Sequence, residues 1–299
     1  MTPLRPCARR RRCLALARQR VLSLLMAWAL MIAGATAARA EDRPLAFGVL
    51  SQRSPTLTAE YWNPILTHLS ARTGLALELR IGRSAPETVT MASRGDFDFI
   101  YSNNLFAPDK QALGFRVIAR PATEAIHGQI VVLDGSPVRT LAELAGREML
   151  FPSPVAFVGY QVTGDALVKA GITVKPLFAG NQEGAMAQLK AGQAEAAAVN
   201  SAVMADFARR EGLSYRVLWS SPPFLDIPIM AGPTVSDAVA GALRDALAGM
   251  AGDPEGQEVL NRAARAGGIK PVSYVTATDA DYQSYLTFYR NARLDLLPK

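Results

Sequence analysis

Cysteine is almost missing from this chain of 299 residues, and both copies, Cys7 and Cys13, fall within the first 40. From residue 41 onward no disulfide, thiolate nucleophile or cysteine-based metal site can form. Histidine is equally scarce. His68 and His127, the only two, have no acidic or cysteine partner at metal-ligand spacing and read as structural or exposed side chains. The motifs that carry common chemistry are missing too: no Gly-x-Ser-x-Gly elbow, Gly-x-x-x-x-Gly-Lys loop, Gly-x-Gly-x-x-Gly turn or His-Glu-x-x-His helix. The expectation is a protein that is not an enzyme and needs no cofactor or metal.

An excess of one charge is missing as well, once the chain is divided. The full sequence holds 32 Lys and Arg against 26 Asp and Glu, but residues 1–40 carry eight Arg and no acid, which leaves 24 against 26. The sequence pI near 9.5 therefore belongs to the N-terminal segment. Without a basic field there is no expected nucleic-acid partner.

That segment has the order of a secretory signal: Arg5, Arg9–Arg12, Arg18 and Arg20, then an apolar run over 21–34, then Ala38-Arg39-Ala40. The run is short for a membrane span, which needs about 20 residues. Cleavage after Ala40 and export to the periplasm are expected. Arg11-Arg12 leaves the general and twin-arginine routes both open.

Beyond residue 40, short apolar runs alternate with helical patterns. Strands are expected at 45–50, 75–80, 97–101, 116–119, 128–133, 148–151, 174–178, 194–199, 215–219 and 227–231. Leu57, Tyr61, Trp62, Ile65, Leu66 and Leu69 form one helical stripe, and Val239, Leu243, Leu247 and Met250 another. Alternation of this kind predicts an α/β fold with mixed, mostly parallel sheets covered by helices on both faces.

The stretch 82–104 matches 180–201 in order and character: loop, amphipathic helix, glycine, apolar strand, polar loop. Gly95 set on Gly192 brings Asn103 onto Asn200. Two such halves imply two lobes whose strand ends face one cleft, joined by two extended segments. Residues 118–128, with Pro121, are the expected outgoing segment, and 220–226, with Pro222-Pro223, the return. One lobe then takes 41–122 and 226–299, and the other, inserted, takes 123–225.

Ligands in open α/β sheets sit outside the carboxyl ends of strands, which selects the candidate site. Ser51 and Arg53 follow the first strand, and an arginine there can hold an oxyanion bidentately. Tyr101, Ser102 and Asn103 follow the third strand, Ser153 follows the first strand of the inserted lobe, Gln182 opens a helix, and Asn200 ends a strand. Each has a plainer reading as helix cap, solvated loop or core. Trp62 reads as core.

Several segments together resemble the phosphate/phosphite/phosphonate-type periplasmic solute-binding family. They are Phe47-Gly48-Val49-Leu50 with Trp62-Asn63-Pro64-Ile65-Leu66, the run Gly95-Asp96-Phe97-Asp98-Phe99-Ile100-Tyr101, Thr140 to Arg147, and Phe151-Pro152-Ser153-Pro154 with Gly159-Tyr160. The resemblance covers residues 45–295. It implies a type II periplasmic-binding fold with a two-segment hinge, closing as a monomer on a small anionic ligand. The tyrosine-bearing loop at Tyr101 would touch that ligand. The implied partner is an inner-membrane ABC permease or, for sensor proteins of the same fold, a periplasmic histidine-kinase domain. Two features depart from the pattern. The hydroxyl-rich turn before Gly-Tyr is Val155-Ala156-Phe157-Val158 here, and the expected histidine and aspartate stand as Asn181 or Gln182 and as Asn200. These changes argue against a phosphonate and for a fully ionised oxyanion.

Overall fold

A computed structural model describes residues 43–297; the arginine-rich N-terminal segment, with the expected cleavage after Ala40, lies outside the described residues. Two sheets organise the rest. In chain order the strands are β1 (Leu45–Val49), β2 (Leu77–Arg80), β3 (Phe99–Tyr101), β4 (Arg116–Pro121), β5 (Gly128–Leu133), β6 (Glu148–Phe151), β7 (Lys175–Phe178), β8 (Ala196–Asn200), β9 (Tyr215–Ser220), β10 (Ile229–Ala231) and β11 (Tyr274–Thr276); the larger sheet runs β11-β4-β10-β3-β1-β2 and the smaller β7-β6-β8-β5-β9.

At the heart of the larger sheet, β1 (Leu45–Val49) is buried along its whole length and pairs in parallel with β2 (Leu77–Arg80) and β3 (Phe99–Tyr101). A strand covered on both faces has no polar side to present, which is why its sequence, Leu-Ala-Phe-Gly-Val, shows no alternation. One cover is α1 (Pro55–Thr73). Ser54 Oγ accepts from the Leu57 N–H at its start, Pro55 needs no partner in the first turn, and Gly74, left-handed at φ 74°, ends it. Its stripe of Tyr61, Trp62, Ile65, Leu66 and Leu69 packs with β1, α6 (Asp237–Gly249) and α7 (Pro254–Gly267) in one apolar core. Asp253 caps α7 by accepting from the Gly256 N–H, ahead of Pro254. The other face carries α2 (Ala85–Ser93) and α8 (Gln283–Asn291).

In the smaller sheet, β8 (Ala196–Asn200) begins with three alanines, short enough for α4 (Gln182–Lys190) and α5 (Ser201–Glu211) to close on it. The opposite face takes α3 (Thr163–Lys169), which continues from a π-helix at Phe157–Val162.

The two-sheet α/β class agrees with expectation, but the parallel share is smaller than expected. Four of the nine strand pairings are parallel, all among β1, β2, β3, β6 (Glu148–Phe151), β7 (Lys175–Phe178) and β8. The rest are antiparallel because β4 (Arg116–Pro121), β5 (Gly128–Leu133), β9 (Tyr215–Ser220) and β10 (Ile229–Ala231) flank the passages between sheets, where the chain reverses. The short β11 (Tyr274–Thr276), three residues just after Pro271, has no periodicity to betray it and was not among the expected strands.

Two extended segments join the sheets and pair with each other. Ile126 and Phe224 exchange backbone hydrogen bonds of 2.8 and 2.9 Å. The end of α8 and the chain beyond it reach the smaller sheet's side: Tyr289 Oη donates to Gln161 Oε1 at 2.8 Å, and the Arg293 N–H donates to Asp165 Oδ1 at 2.9 Å.

Candidate functional site

The repeated stretches occupy equivalent places. α2 and α4 each have nine residues, capped by Ser84 and Asn181, followed by left-handed Gly95 and Gly192 and by strands that open at Phe99 and Ala196. Each member lies 97 positions after its counterpart (84 to 181, 95 to 192, 99 to 196). The polar residues beyond each strand accordingly arrive at one cleft.

The cleft is drawn together by the loop after β1. The Glu183 N–H, in the first turn of α4, donates to Gln52 O at 3.1 Å, and Asn181 Nδ2 donates to Arg53 O at 3.4 Å. On one side of this tie lies a chamber of about 120 Å³, bordered by Arg53, Tyr101, Thr123, Asn200, Asp206 and Asp226. On the other lies one of about 30 Å³, bordered by Ser51, Asn103, Ser153, Phe157, Gln182 and Asn200.

Charge and aromatic rings characterise the larger chamber. Among the described residues Arg53 has no ion-pair or side-chain hydrogen-bond partner; loss of hydration lowers its pKa, against the longer-range pull of Tyr101, Asp206 and Glu183. Asp226 lies deep in the protein but keeps some exposed surface, and that surface borders the chamber. Its Oδ1 accepts from the Ile227 N–H at 2.8 Å and its Oδ2 from Thr123 Oγ1 at 3.3 Å. Desolvation raises its pKa, and those two bonds and distant Arg53 only partly oppose this. Asp206 differs, since Arg209 pairs with it at 3.1 Å. The wall is formed by Trp62, with Tyr101, Tyr61 and Tyr274 around it at centroid distances of 5.1, 5.4 and 6.1 Å. Tyr61 and Tyr274 hydroxyls lie 3.0 Å apart, and burial raises the pKa of all three phenols, which keeps them neutral donors. Trp62 is thus a core residue whose neighbourhood happens to face the cleft.

Neutral amides and hydroxyls line the smaller chamber. Asn103 is 3% exposed; its Nδ2 reaches Tyr285 Oη at 3.4 Å, while its Oδ1 and the Oγ of Ser51 are buried with no partner. Gln182 Oε1 accepts from the Asn200 N–H at 2.9 Å, and Asn200 Oδ1 accepts from the Ala202 N–H at 2.9 Å, capping α5. Gly159 lets the π-helix approach: a Cβ there would stand 2.6 Å from Gln182 Nε2. Phe157 stands where the hydroxyl-rich turn was expected. It stacks on Tyr285 at 4.2 Å and meets Phe224, Phe288 and Tyr289, joining the π-helix to α8.

The sequence candidates therefore divide. Arg53 and Tyr101 border the larger chamber, Ser51, Asn103, Ser153 and Gln182 the smaller, and Asn200 both. Ser102 borders neither; its Oγ accepts from the Asn104 N–H at 3.2 Å, a local turn bond. Sequence reasoning missed Asp226, Thr123, Tyr61 and Tyr274 as cleft residues. The first two lie in the crossing segments, Tyr61 was hidden in an apolar stripe, and Tyr274 belongs to the unexpected β11. Among the described residues no group of three or more metal-ligating side chains comes together, and no helix is long and apolar enough to cross a membrane.

Several solved proteins share this fold. A binding-protein component of an ABC phosphonate transporter from Pseudomonas aeruginosa is 18% identical, with a TM-score of 0.70 over 85% of this chain and 88% of that one. A protein from Prochlorococcus marinus, solved with methylphosphonate, is 15% identical, with a TM-score of 0.69 over 84% and 98%. One from Xanthomonas citri, solved with chloride, is 16% identical, with a TM-score of 0.66 over 84% and 98%. At such identities the likeness speaks for the fold alone. No curated protein matches the chain by sequence. The family model described as "ABC transporter, phosphonate, periplasmic substrate-binding protein" matches residues 47–282. With most of its length inside that match, the chain belongs to the periplasmic substrate-binding family of phosphonate ABC transporters.

Proposed function

We propose that this protein captures a small anion between its two lobes and delivers it to the permease of an ABC importer. Residues 41–122 with 226–299 would form one lobe and 123–225 the other, turning about the two crossing segments. The observation that carries this reading is the unpaired Arg53 guanidinium on the rim of an interlobe chamber. A desolvated cation with no protein partner is costly to keep, and an incoming oxyanion supplies the missing charge through bidentate bonds. Neutral donors from Tyr101 and Asn200 would complete the seat. Because the ligand touches both sheets only when the cleft is shut, it favours the closed state by differential affinity. The family description names a transporter component, which favours delivery to a permease over presentation to a kinase.

A thermal-shift panel tests this on the mature protein, using phosphate, phosphite, sulfate, methylphosphonate, small carboxylates and sulfonates. At a hundredfold excess over Kd a true ligand stabilises by about 2.7 kcal/mol. Melting points moved only by neutral sugars would sink the anion reading.

A further inference from the structure

Besides the two crossing segments, the chain passes between the lobes once more, at its C-terminal end. Helix α8 and the turn before it are rooted on the larger sheet's lobe. The Tyr282 and Tyr285 rings lie 5.1 and 5.0 Å from Phe106, and the Val117 N–H of β4 donates to Asp279 Oδ1 at 3.0 Å. The helix ends at Ala292, whose N–H donates to Phe288 O at 2.9 Å. One residue later the partner changes. The Arg293 N–H donates to Asp165 Oδ1 in α3, a residue 5% exposed whose Oδ2 pairs with Lys169 at 2.6 Å. A 3-10 turn, Leu294–Leu296, follows, and Leu297 joins the apolar core of the inserted lobe that holds Leu144, Tyr160 and Leu167. Gly164 makes room for it: a Cβ there would stand 2.8 Å from Leu297 Cδ2.

We infer that residues 293–297 form a strap: they ride with the inserted lobe while α8 stays with the other, and the short link between them limits how far the cleft opens. Three peptide steps separate Asn291, the last residue of α8, from Leu294, and fully extended they span at most about 11 Å. Ala292 is already extended, at φ −81° and ψ 148°, so little slack remains. Opening beyond that reach would draw Leu297 out of a seat where it is 8% exposed and break the Arg293–Asp165 bond. The crossing segments set the axis about which the lobes turn, and the strap sets the angle. The inference rests on the proposed lobe motion and not on which solute is carried.

The test measures the distance between lobes in the mature protein without any solute. No cysteine occurs from residue 41 onward. Thr67→Cys on α1 and Ala187→Cys on α4, both exposed, therefore place a spin-label pair on opposite lobes with no competing thiol. Four Gly/Ser residues inserted between Ala292 and Arg293 lengthen the link and leave Leu297 seated. The insertion should extend the long end of the distance distribution, read by double electron–electron resonance, by on the order of 5 Å or more. Its melting temperature should stay near that of the labelled parent. Leu297→Ala, which empties the seat, should also extend the distribution, with a lowered melting temperature. A broad distribution in the parent that the insertion leaves unchanged means lobes that move without a strap; it overturns the inference and leaves the anion-carrier reading standing. A single narrow distance in both proteins means lobes that do not move, and both readings fall. Should Leu297→Ala not fold, the insertion decides alone, since it removes no packed atom.

Discussion

The two chambers share Asn200 and the loop after β1, yet they are built for opposite tasks. The larger is charged, aromatic and roomy; the smaller is neutral, narrow and bordered on one side by Phe157. An unpaired, partly desolvated charge is costly to leave uncompensated, whereas an unpartnered hydroxyl or amide oxygen can be met by a single water. On the proposed reading, ligand recognition falls to the larger chamber and lobe-to-lobe closure to the smaller.

The most severe way to test that division is Phe157→Ala. The ring is 2% exposed and bridges the π-helix to α8 and Phe224. Truncating a buried phenylalanine costs about 3–5 kcal/mol. The urea midpoint should fall accordingly, while the affinity of the folded protein should change far less. If affinity collapses with stability little altered, the smaller chamber holds the ligand and the division is reversed.

Arg53→Met attacks the other side. Losing a guanidinium with two charge-assisted bonds removes about 3 kcal/mol of binding, roughly a hundredfold in Kd for whichever probe binds. The ligand-free variant should unfold at higher urea than wild type, because a desolvated cation without a partner has been replaced by an apolar side chain of similar length. Affinity within threefold of wild type would remove Arg53 from the site. Asn103→Ala and Ser153→Ala, at the smaller chamber, should each cost about 1 kcal/mol or less in binding, read by the same titration. Larger losses there would merge the two chambers into one site.

How much of this could be read from the residues follows the same contrast. Buried strands such as β1 and β8, the apolar stripes of helices α1 and α6 and the 82–104 repeat are local patterns and were legible. Arg53, Tyr101 and Asn200 could be placed beyond strand ends from the residues alone, and all three border the larger chamber. Asp226 and Thr123 were not: they lie 103 residues apart in the chain and meet only because the two crossing segments pair. The excess of antiparallel pairing had the same cause, since it depends on where the chain passes between sheets. Tyr274 was lost with β11, whose three residues are too few to show a period. Ser102 failed the other way. Its position after a strand was right, but its hydroxyl was already engaged with Asn104.

The gentlest test concerns Asp226 without any ligand. Its pKa is raised by desolvation in the folded protein, while in the unfolded chain a carboxyl returns to about 3.9. Between those two values the folded state holds a proton that the unfolded state has released, so stability falls as pH rises through the window. Above the folded value the full cost of the buried charge is present. Asp226→Asn removes that cost and retains an oxygen to accept from the Ile227 N–H. The variant should therefore be more stable than wild type at pH 7.5, with the gap narrowing as pH falls toward 4 in urea titrations. Glu87, Glu143, Glu211, Asp245 and Asp281, whose pKa values are lowered, destabilise the fold on acidification. They are common to both proteins and cancel in the difference. A gap that stays constant with pH would mean that shape, not charge, governs position 226, and the larger chamber would lose the negative half of its character.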